Sequence, residues 1–252
     1  MHRFYLPPGH CKGPLLSLTG REAHHALHVL RVRRGEPVTV LDGEGLSCEC
    51  QVEQLARNHL ELKVLERRSA APLPFQITML QAIPKGKLFE SIIQKATELG
   101  TARILPLLSE RTVAKIHASD ARDKVEKWQA VAIEAIKQCG SAWLPRIEPP
   151  VTVEEFFAQK PVVDLALVGS LQPDARHPRT YFEAFEHQNG RKPKSVLVAI
   201  GPEGDFTSEE LAALQSAGAR PISLGPLVLR TETAALYCLS VINYELQSGA
   251  EV

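Results

Sequence analysis

The sequence predicts a mixed α/β protein: a small N-terminal β-barrel followed by a larger domain built on a parallel sheet. Three observations lead there. The chain has 252 residues, 44% hydrophobic and 23% charged, a globular balance that excludes a disordered, fibrous or collagen-like chain. Two prolines in Ser69-Ala-Ala-Pro-Leu-Pro74 break any helix and suit an extended linker, which divides the chain into 1–72 and 73–252. Before that linker apolar residues mostly alternate; after it, strand-like and helix-like runs take turns.

The N-terminal part reads as short strands. Pro37–Asp42 ends in Asp-Gly, and Glu44-Gly45 follows; next come Leu46–Val52 and then Leu60–Leu65 in strict alternation. Run, Gly-rich turn and run make a hairpin. One helix is predicted from about Arg21 to Arg31, giving a small barrel or sandwich with one helix.

Beyond Pro74 the predicted strands are Ile77–Ala82, Ala102–Leu108, Val163–Val168, Val196–Ile200 and Pro221–Leu224. The predicted helices are Leu88–Leu99, Asp120–Cys139, Tyr181–His187, Ser208–Ala217 and Glu232–Leu246. Phe89, Ile92, Ile93, Ala96 and Leu99 share one face of the first helix, which Gly100 stops. Thr207 and Glu210 have the spacing of a capping box. Alternation of this kind means a parallel sheet covered on both faces.

Lys plus Arg equals Asp plus Glu at 29 each, which excludes a bulk polycation that coats nucleic acid. A local basic patch remains open. Residues 1–72 carry ten Lys/Arg against eight Asp/Glu and six of the nine histidines. Arg3, Arg21, Arg31, Arg33 and Arg34 are candidates for phosphate contacts, with Lys85 and Lys87 extending the patch at a helix start. The alternative is a solvated charged face. His24 and His28 have the four-residue spacing of two metal ligands on a helix, but no third ligand is near and no metal is expected. Five scattered cysteines suggest reduced thiols and a cytosolic address, with Cys139 a small packed residue. No apolar run approaches the roughly 18 residues of a membrane span.

Ligands of open parallel sheets bind beyond the carboxyl ends of the strands. Three such ends carry unusual turns: Val168-Gly-Ser170, Ile200-Gly-Pro-Glu-Gly-Asp-Phe206 and Leu224-Gly-Pro-Leu-Val-Leu-Arg-Thr-Glu-Thr-Ala234. Their glycines let a ligand approach the main chain closely. The candidate cofactor-binding residues are therefore Val168, Gly169, Ile200, Gly201, Pro202, Glu203, Gly204, Leu224, Gly225, Leu229, Thr231 and Ala234. The plainer alternative is a tight βα turn. Neither the dinucleotide nor the P-loop glycine fingerprint occurs, and Pro202 removes an N–H that a phosphate cradle would use. The turns suit a cofactor without phosphate. Arg230 and Glu232 flank the last turn, as a functional pair or as a surface ion pair.

Several segments together resemble a known family. They are Arg3-Phe-Tyr, His-Val-Leu-Arg31 with Arg-Arg-Gly35, and Gln94-Lys-Ala-Thr-Glu-Leu-Gly100. Ser109-Glu-Arg-Thr112, Trp128 with Glu134 and Gln138-Cys-Gly140, Ile200-Gly-Pro-Glu-Gly204 and Leu229-Arg-Thr-Glu-Thr-Ala234 complete the set. The chain resembles the ribosomal RNA small-subunit methyltransferase E family, within the SPOUT (trefoil-knot) methyltransferases. The resemblance implies a PUA-like N-terminal barrel for RNA and a knotted C-terminal α/β domain. It implies S-adenosylmethionine as cofactor, a homodimer, and methylation of a decoding-region uridine at N3 in 16S ribosomal RNA of the small subunit. Arg230, Glu232 and Glu203 are then the expected catalytic residues, Arg230 steadying the uridine anion or anchoring its phosphate and Glu232 or Glu203 orienting it or taking its proton. Alternatives are another RNA target or a non-catalytic RNA-binding assembly protein. Three positions depart from the family's pattern: Asp205 stands where Gly is usual, and Leu227 and Ser141 where Arg is usual.

Overall fold

The computed structural model describes residues 1–112, 118–159 and 161–247. The chain divides into two compact units. One comprises Met1–Pro72 together with Ile133–Leu144; the other comprises Leu73–Ala132 and Pro145–Val252.

The first unit is a curled five-stranded sheet. Its strands are β1 (His2–Tyr5), β2 (Leu15–Leu18), β3 (Pro37–Leu41), β4 (Leu46–Leu55) and β5 (Leu60–Ser69), in the order β1-β3-β4-β5-β2. β1 pairs with β3 in parallel and the other pairs are antiparallel. The β3–β4 hairpin is the one its Asp-Gly turn signals. Register shifts at Glu49/Cys50 and Val52/Gln54 bend β4 and curl the sheet. β1 and β2 both remain edges, so the sheet is a half-barrel rather than a closed one. Alternate residues point inward: Phe4, Leu16, Leu18, Val38, Val40, Cys48, Cys50, Leu60 and Leu62 form the core. The helix predicted at 21–31 is a short α1 (Gly20–His24) that widens into a π-turn over His25–Val29.

Among the described residues the second unit holds six strands, all parallel. They are β6 (Gln76–Ala82), β7 (Arg103–Leu107), β8 (Arg146–Ile147), β9 (Leu165–Gly169), β10 (Ser195–Ile200) and β11 (Arg220–Ile222), in the order β11-β9-β10-β6-β7-β8. The helices are α2 (Leu88–Glu98), α3 (Ala118–Cys139), α4 (Val153–Ala158), α5 (Pro178–Asn189), α6 (Ser208–Ser216) and α7 (Thr231–Gln247). Leu80, Leu105, Val168, Leu197 and Ala199 pack one sheet face against Phe156 of α4 and Leu214 of α6. Strand alternation sends Ile77, Met79, Val196 and Val198, all fully buried, to the opposite face. There α7 packs on β10 and against α2. Phe89 of α2 meets Trp128 of α3 edge to face, with ring centroids 4.7 Å apart.

Because the strands run in parallel, β11, β9 and β10 end side by side. The turns that follow them converge on one end of the sheet.

Candidate functional site

A cleft of about 320 Å³ opens at that end, within the second unit. It is lined by Gly169–Gln172 after β9, by Ile200–Glu203 with Asp205 after β10, and by Ser223–Leu229 after β11. Thr231 and Ala234, at the start of α7, complete it. Its size falls at the small end of the ligand-pocket range, about 300–1,000 Å³.

The Gly201-Pro-Glu-Gly204 turn is held from three distant segments. Thr231 Oγ1 donates to the Gly201 carbonyl at 2.7 Å and accepts from Gln81 Nε2 at 3.0 Å. Gln81 is wholly buried in β6, and its amide also donates to the Ala82 carbonyl. Glu203 Oε1 accepts from the Lys85 N–H at 3.2 Å. Arg111 Nη1 donates to the Gly204 carbonyl at 2.6 Å and to that of Phe206 at 3.4 Å. Beneath the turn the buried Glu210 carboxylate accepts from Ser109 Oγ, the Glu110 N–H and the Thr207 N–H, each at about 3 Å. The Thr207–Glu210 capping box is complete, because Glu210 N–H also bonds Thr207 Oγ1.

Gly201 is required by close packing. A Cβ there would lie 3.3 Å from Asp205 Oδ1, the Phe206 ring and the Phe206 amide nitrogen. Asp205 has φ +62°, the left-handed region that glycine enters freely, which is why a glycine would be at ease there. The Asp carboxylate steadies this conformation by accepting the Phe206 N–H at 2.8 Å.

Ten of the twelve candidate cofactor-binding residues line the cleft; Val168 and Gly204 do not. Val168 is fully buried, its side chain committed to the core against α4 and α6. Gly204 sits beside Arg111, whose Cδ lies 3.4 Å from its virtual Cβ. Of the catalytic candidates, Glu203 lines the cleft. Arg230 and Glu232 stand just outside it. Arg230 is exposed, and among the described residues its guanidinium has no hydrogen-bond or ion-pair partner, so the surface pair with Glu232 does not form. Its carbonyl receives the Ala234 N–H and starts α7. Leu171, Gln172, Gln81 and Arg111 were not among the expected residues. A Gln inside an otherwise apolar strand was the available signal for Gln81.

The basic candidates separate. Arg3 Nη1 donates to the Lys137 and Gln138 carbonyls at 3.1 and 3.0 Å, so it caps the end of α3. Gly140 makes this possible, since a Cβ there would press on the guanidinium at 3.0 Å. Lys137, buried, bonds Glu22 at 2.9 Å and Glu134 at 3.1 Å. Arg21 lies 3.8 Å from Glu134 with its side chain 72% exposed. Arg31, Arg33 and Arg34 are exposed on the first unit, and Lys85 and Lys87 on the second. His24 and His28 stack at 4.9 Å, and no group of three His, Cys, Asp or Glu among the described residues is arranged to hold a metal. Ser141 exchanges two hydrogen bonds with the Trp143 backbone.

All five cysteines are free. Burial pushes the Cys11 thiol up to about 11 and those of Cys50 and Cys238 up to about 12, which keeps them protonated and unreactive at neutral pH. Cys139 is exposed at the end of α3, not packed as expected. No helix among the described residues is long and apolar enough to cross a membrane.

The cleft's chemistry is that of a nucleoside site without phosphate. Peptide groups and aliphatic side chains share the lining with the carboxylates of Glu203 and Asp205 and a few neutral polar side chains, and among the described residues no Lys, Arg or His lines it.

Comparison with known proteins agrees. A family model described as an RNA methyltransferase domain matches residues 71–243, and one described as an RNA methyltransferase PUA domain matches residues 18–65. The chain is 30% identical over 237 residues to ribosomal RNA small subunit methyltransferase E of Bacillus subtilis (strain 168), covering 94% of this chain and 92% of that one. It is 33% identical over 244 residues to the protein of the same name from Mycobacterium tuberculosis (strain CDC 1551 / Oshkosh), covering 95% and 90%. A putative methyltransferase from Legionella pneumophila, solved with bound cofactor SAM, superposes with a TM-score of 0.86 at 33% identity, covering 98% of this chain and 96% of that one. Ribosomal RNA small subunit methyltransferase E from Neisseria gonorrhoeae, bound to S-adenosyl methionine, gives 0.83 at 28% identity, covering 98% and 97%. The agreement runs through both units, and the chain belongs to the ribosomal RNA small subunit methyltransferase E family.

Proposed function

We propose that this chain transfers a methyl group from S-adenosylmethionine to N3 of a uridine in the decoding region of 16S ribosomal RNA. The observation that carries the reading is the cleft: three adjacent parallel strands end in turns that present main chain and aliphatic carbon to a ligand, with no cation for a phosphate. The solved relatives from Legionella pneumophila and Neisseria gonorrhoeae, which carry SAM, support the same cofactor here. When bound, the cofactor supplies a methyl group on a sulfonium, whose sulfur keeps the bonding pair as the methyl leaves.

The chain's own residues have three tasks. The turns at Gly201 and Gly225 hold the cofactor by its nucleoside, and the Thr231–Gln81 relay fixes the Gly201 peptide. N3 of neutral uridine carries a proton that must leave before its lone pair can form the new N–C bond. Glu203 lines the cleft with one carboxylate oxygen bonded to the Lys85 N–H, which suits it to accept that proton through water better than Glu232. Arg230, exposed at the cleft's edge with no partner among the described residues, is placed to steady the negative charge on the uridine oxygens. Arg31, Arg33 and Arg34 of the PUA unit supply sequence-independent phosphate contacts. The enzyme works as a homodimer in the cytoplasm, and its C-terminal unit carries the SPOUT knot that the resemblance implies. An exposed Leu227, where the family's pattern has Arg, favours a second reading in which the same chemistry acts on another RNA.

The test uses undermethylated 30S subunits and labelled cofactor, followed by nucleoside mass spectrometry. Label in 3-methyluridine of 16S RNA is the expected result; label in another RNA or base selects the second reading, and RNA binding without label overturns both. Arg230→Ala is expected to abolish transfer while leaving cofactor affinity intact, and unchanged turnover removes Arg230 from this role.

A further inference from the structure

The cleft is uneven in charge. Among its lining residues only Glu203 and Asp205 ionise, and both are carboxylates. Asp205 is held in place: its N–H donates to the Pro202 carbonyl at 3.0 Å and its Oδ1 accepts the Phe206 N–H at 2.8 Å. The side chain folds back over Gly201, with Oδ1 3.3 Å from the point a Cβ on that glycine would occupy. Its φ of +62° is one of two positive values among the described non-glycine residues. Asp tolerates this region better than most residues, but glycine enters it without strain. A non-glycine residue held there on the wall of a ligand cleft points to a role for its side chain.

The ligand's charge changes during the reaction. S-adenosylmethionine carries a sulfonium, an ammonium and a carboxylate, a net charge of plus one. Once the methyl group leaves with the sulfonium's positive charge, the thioether product S-adenosylhomocysteine is neutral overall. A fixed carboxylate on the wall therefore stabilises the first more than the second. We propose that Asp205 makes this cleft prefer the sulfonium cofactor over its thioether product and so limits product inhibition. This rests on the cofactor assignment above. The neighbouring cations lie outside the lining: Arg111 is turned onto the Gly204 and Phe206 carbonyls, Lys85 meets Glu203 through its backbone N–H, and Arg230 stands just beyond the rim. They act on the ligand in the unaltered protein and in both Asp205 variants alike, so a comparison between the proteins isolates the carboxylate.

Titration calorimetry of the intact protein tests this with S-adenosylmethionine, S-adenosylhomocysteine and sinefungin, whose amine puts a positive charge near the sulfonium position. Asp205→Asn removes the charge but keeps the shape, an acceptor for the Phe206 N–H and tolerance of positive φ. Asp205→Gly removes the whole side chain and relieves the backbone. The preference for cofactor over product, as a ratio of Kd values, is expected to fall about five-fold in both variants, the size of one charge acting across a half-exposed cleft. Sinefungin is expected to weaken with S-adenosylmethionine, and melting temperatures to hold or rise. An unchanged ratio in both variants overturns the proposal and leaves the cofactor assignment standing. A ratio that falls with Gly but not with Asn assigns the effect to shape and also overturns it. Binding of none of the ligands to the unaltered protein overturns both readings.

Discussion

The turn from β10 to α6 is bonded at almost every residue, whereas the turn from β11 to α7 is nearly bare. In the first, side chains or backbone from the β6–α2 loop, the β7–α3 segment and α7 all reach the Gly201–Phe206 stretch, with Gln81 of β6 bracing Thr231 behind it. In the second, the N–H groups bonded between Ser223 and Arg230, among the described residues, are Ser223 to the Arg176 carbonyl and Gly225 to Ser223 Oγ at 3.4 Å. Leu227 and Val228 are 73% and 78% exposed, an uncommon state for adjacent aliphatic residues on a cleft wall. One wall is braced without a ligand, and the other is expected to order with it. Ordering on binding subtracts from affinity, so the bonded wall is expected to supply most of it.

The largest expected effect comes from disturbing the bonded wall directly. Gly201→Val drives a side chain into Asp205 and Phe206, and calorimetry is expected to show cofactor affinity falling about 10- to 100-fold, equivalent to the roughly 1–3 kcal/mol of an overpacked contact. Next comes Thr231→Val, which strips the Gly201 carbonyl of its donor and Gln81 of an acceptor in a buried place. A loss of about 1–3 kcal/mol in cofactor binding is expected, with Thr231→Ser restoring most of it. Equal affinities for the Val and Ser variants would deny the relay a role. Arg111→Ala frees the outer edge of the same turn and leaves its carbonyls to water; about 1 kcal/mol or less is expected, read as a few-fold rise in KM for cofactor. Smallest of all, Leu227→Ser is expected to change unfolding stability by no more than about 0.5 kcal/mol, because its side chain has little packing to lose. Hydrogen exchange sharpens the contrast: amides between 224 and 230 are expected to exchange faster than those of 201–206 in the free protein and to slow most when cofactor is added. Equal protection of both turns would erase the distinction.

Much of this was legible because periodicity and punctuation agreed. The helix at 88–98, the capping box at Thr207 and the turn glycines of the cleft were all readable from the order of residues. The strands β1 and β2 were not, because four residues carry too little alternation to stand out. Helix α4 was missed although Thr152 and Glu155 form a full capping box, and α5 was read from Tyr181 although Pro178 occupies its first turn, a position where proline is common. At the site, sequence neighbours were found and remote partners were not. Gln81 and Arg111 act across about 150 and 93 residues of chain, distances at which no local pattern reports a contact. The capping role of Arg3 was hidden for the same reason: its partners at 137 and 138 belong to a helix far along the chain, and an arginine near the start of a basic stretch reads as one more surface cation.

That bond has a further meaning for the growing polypeptide. The N-terminal unit includes Ile133–Leu144, so it is unfinished when Pro72 has been made. Another 72 residues must be added first, which takes roughly 4–14 s at about 5–20 residues per second. During that interval Arg3 has no helix end to cap and Glu22 lacks the ammonium of Lys137. The half-barrel, first to be translated, therefore matures only after much of its successor already exists, and a fragment cut at residue 72 freezes the nascent chain at its least protected stage.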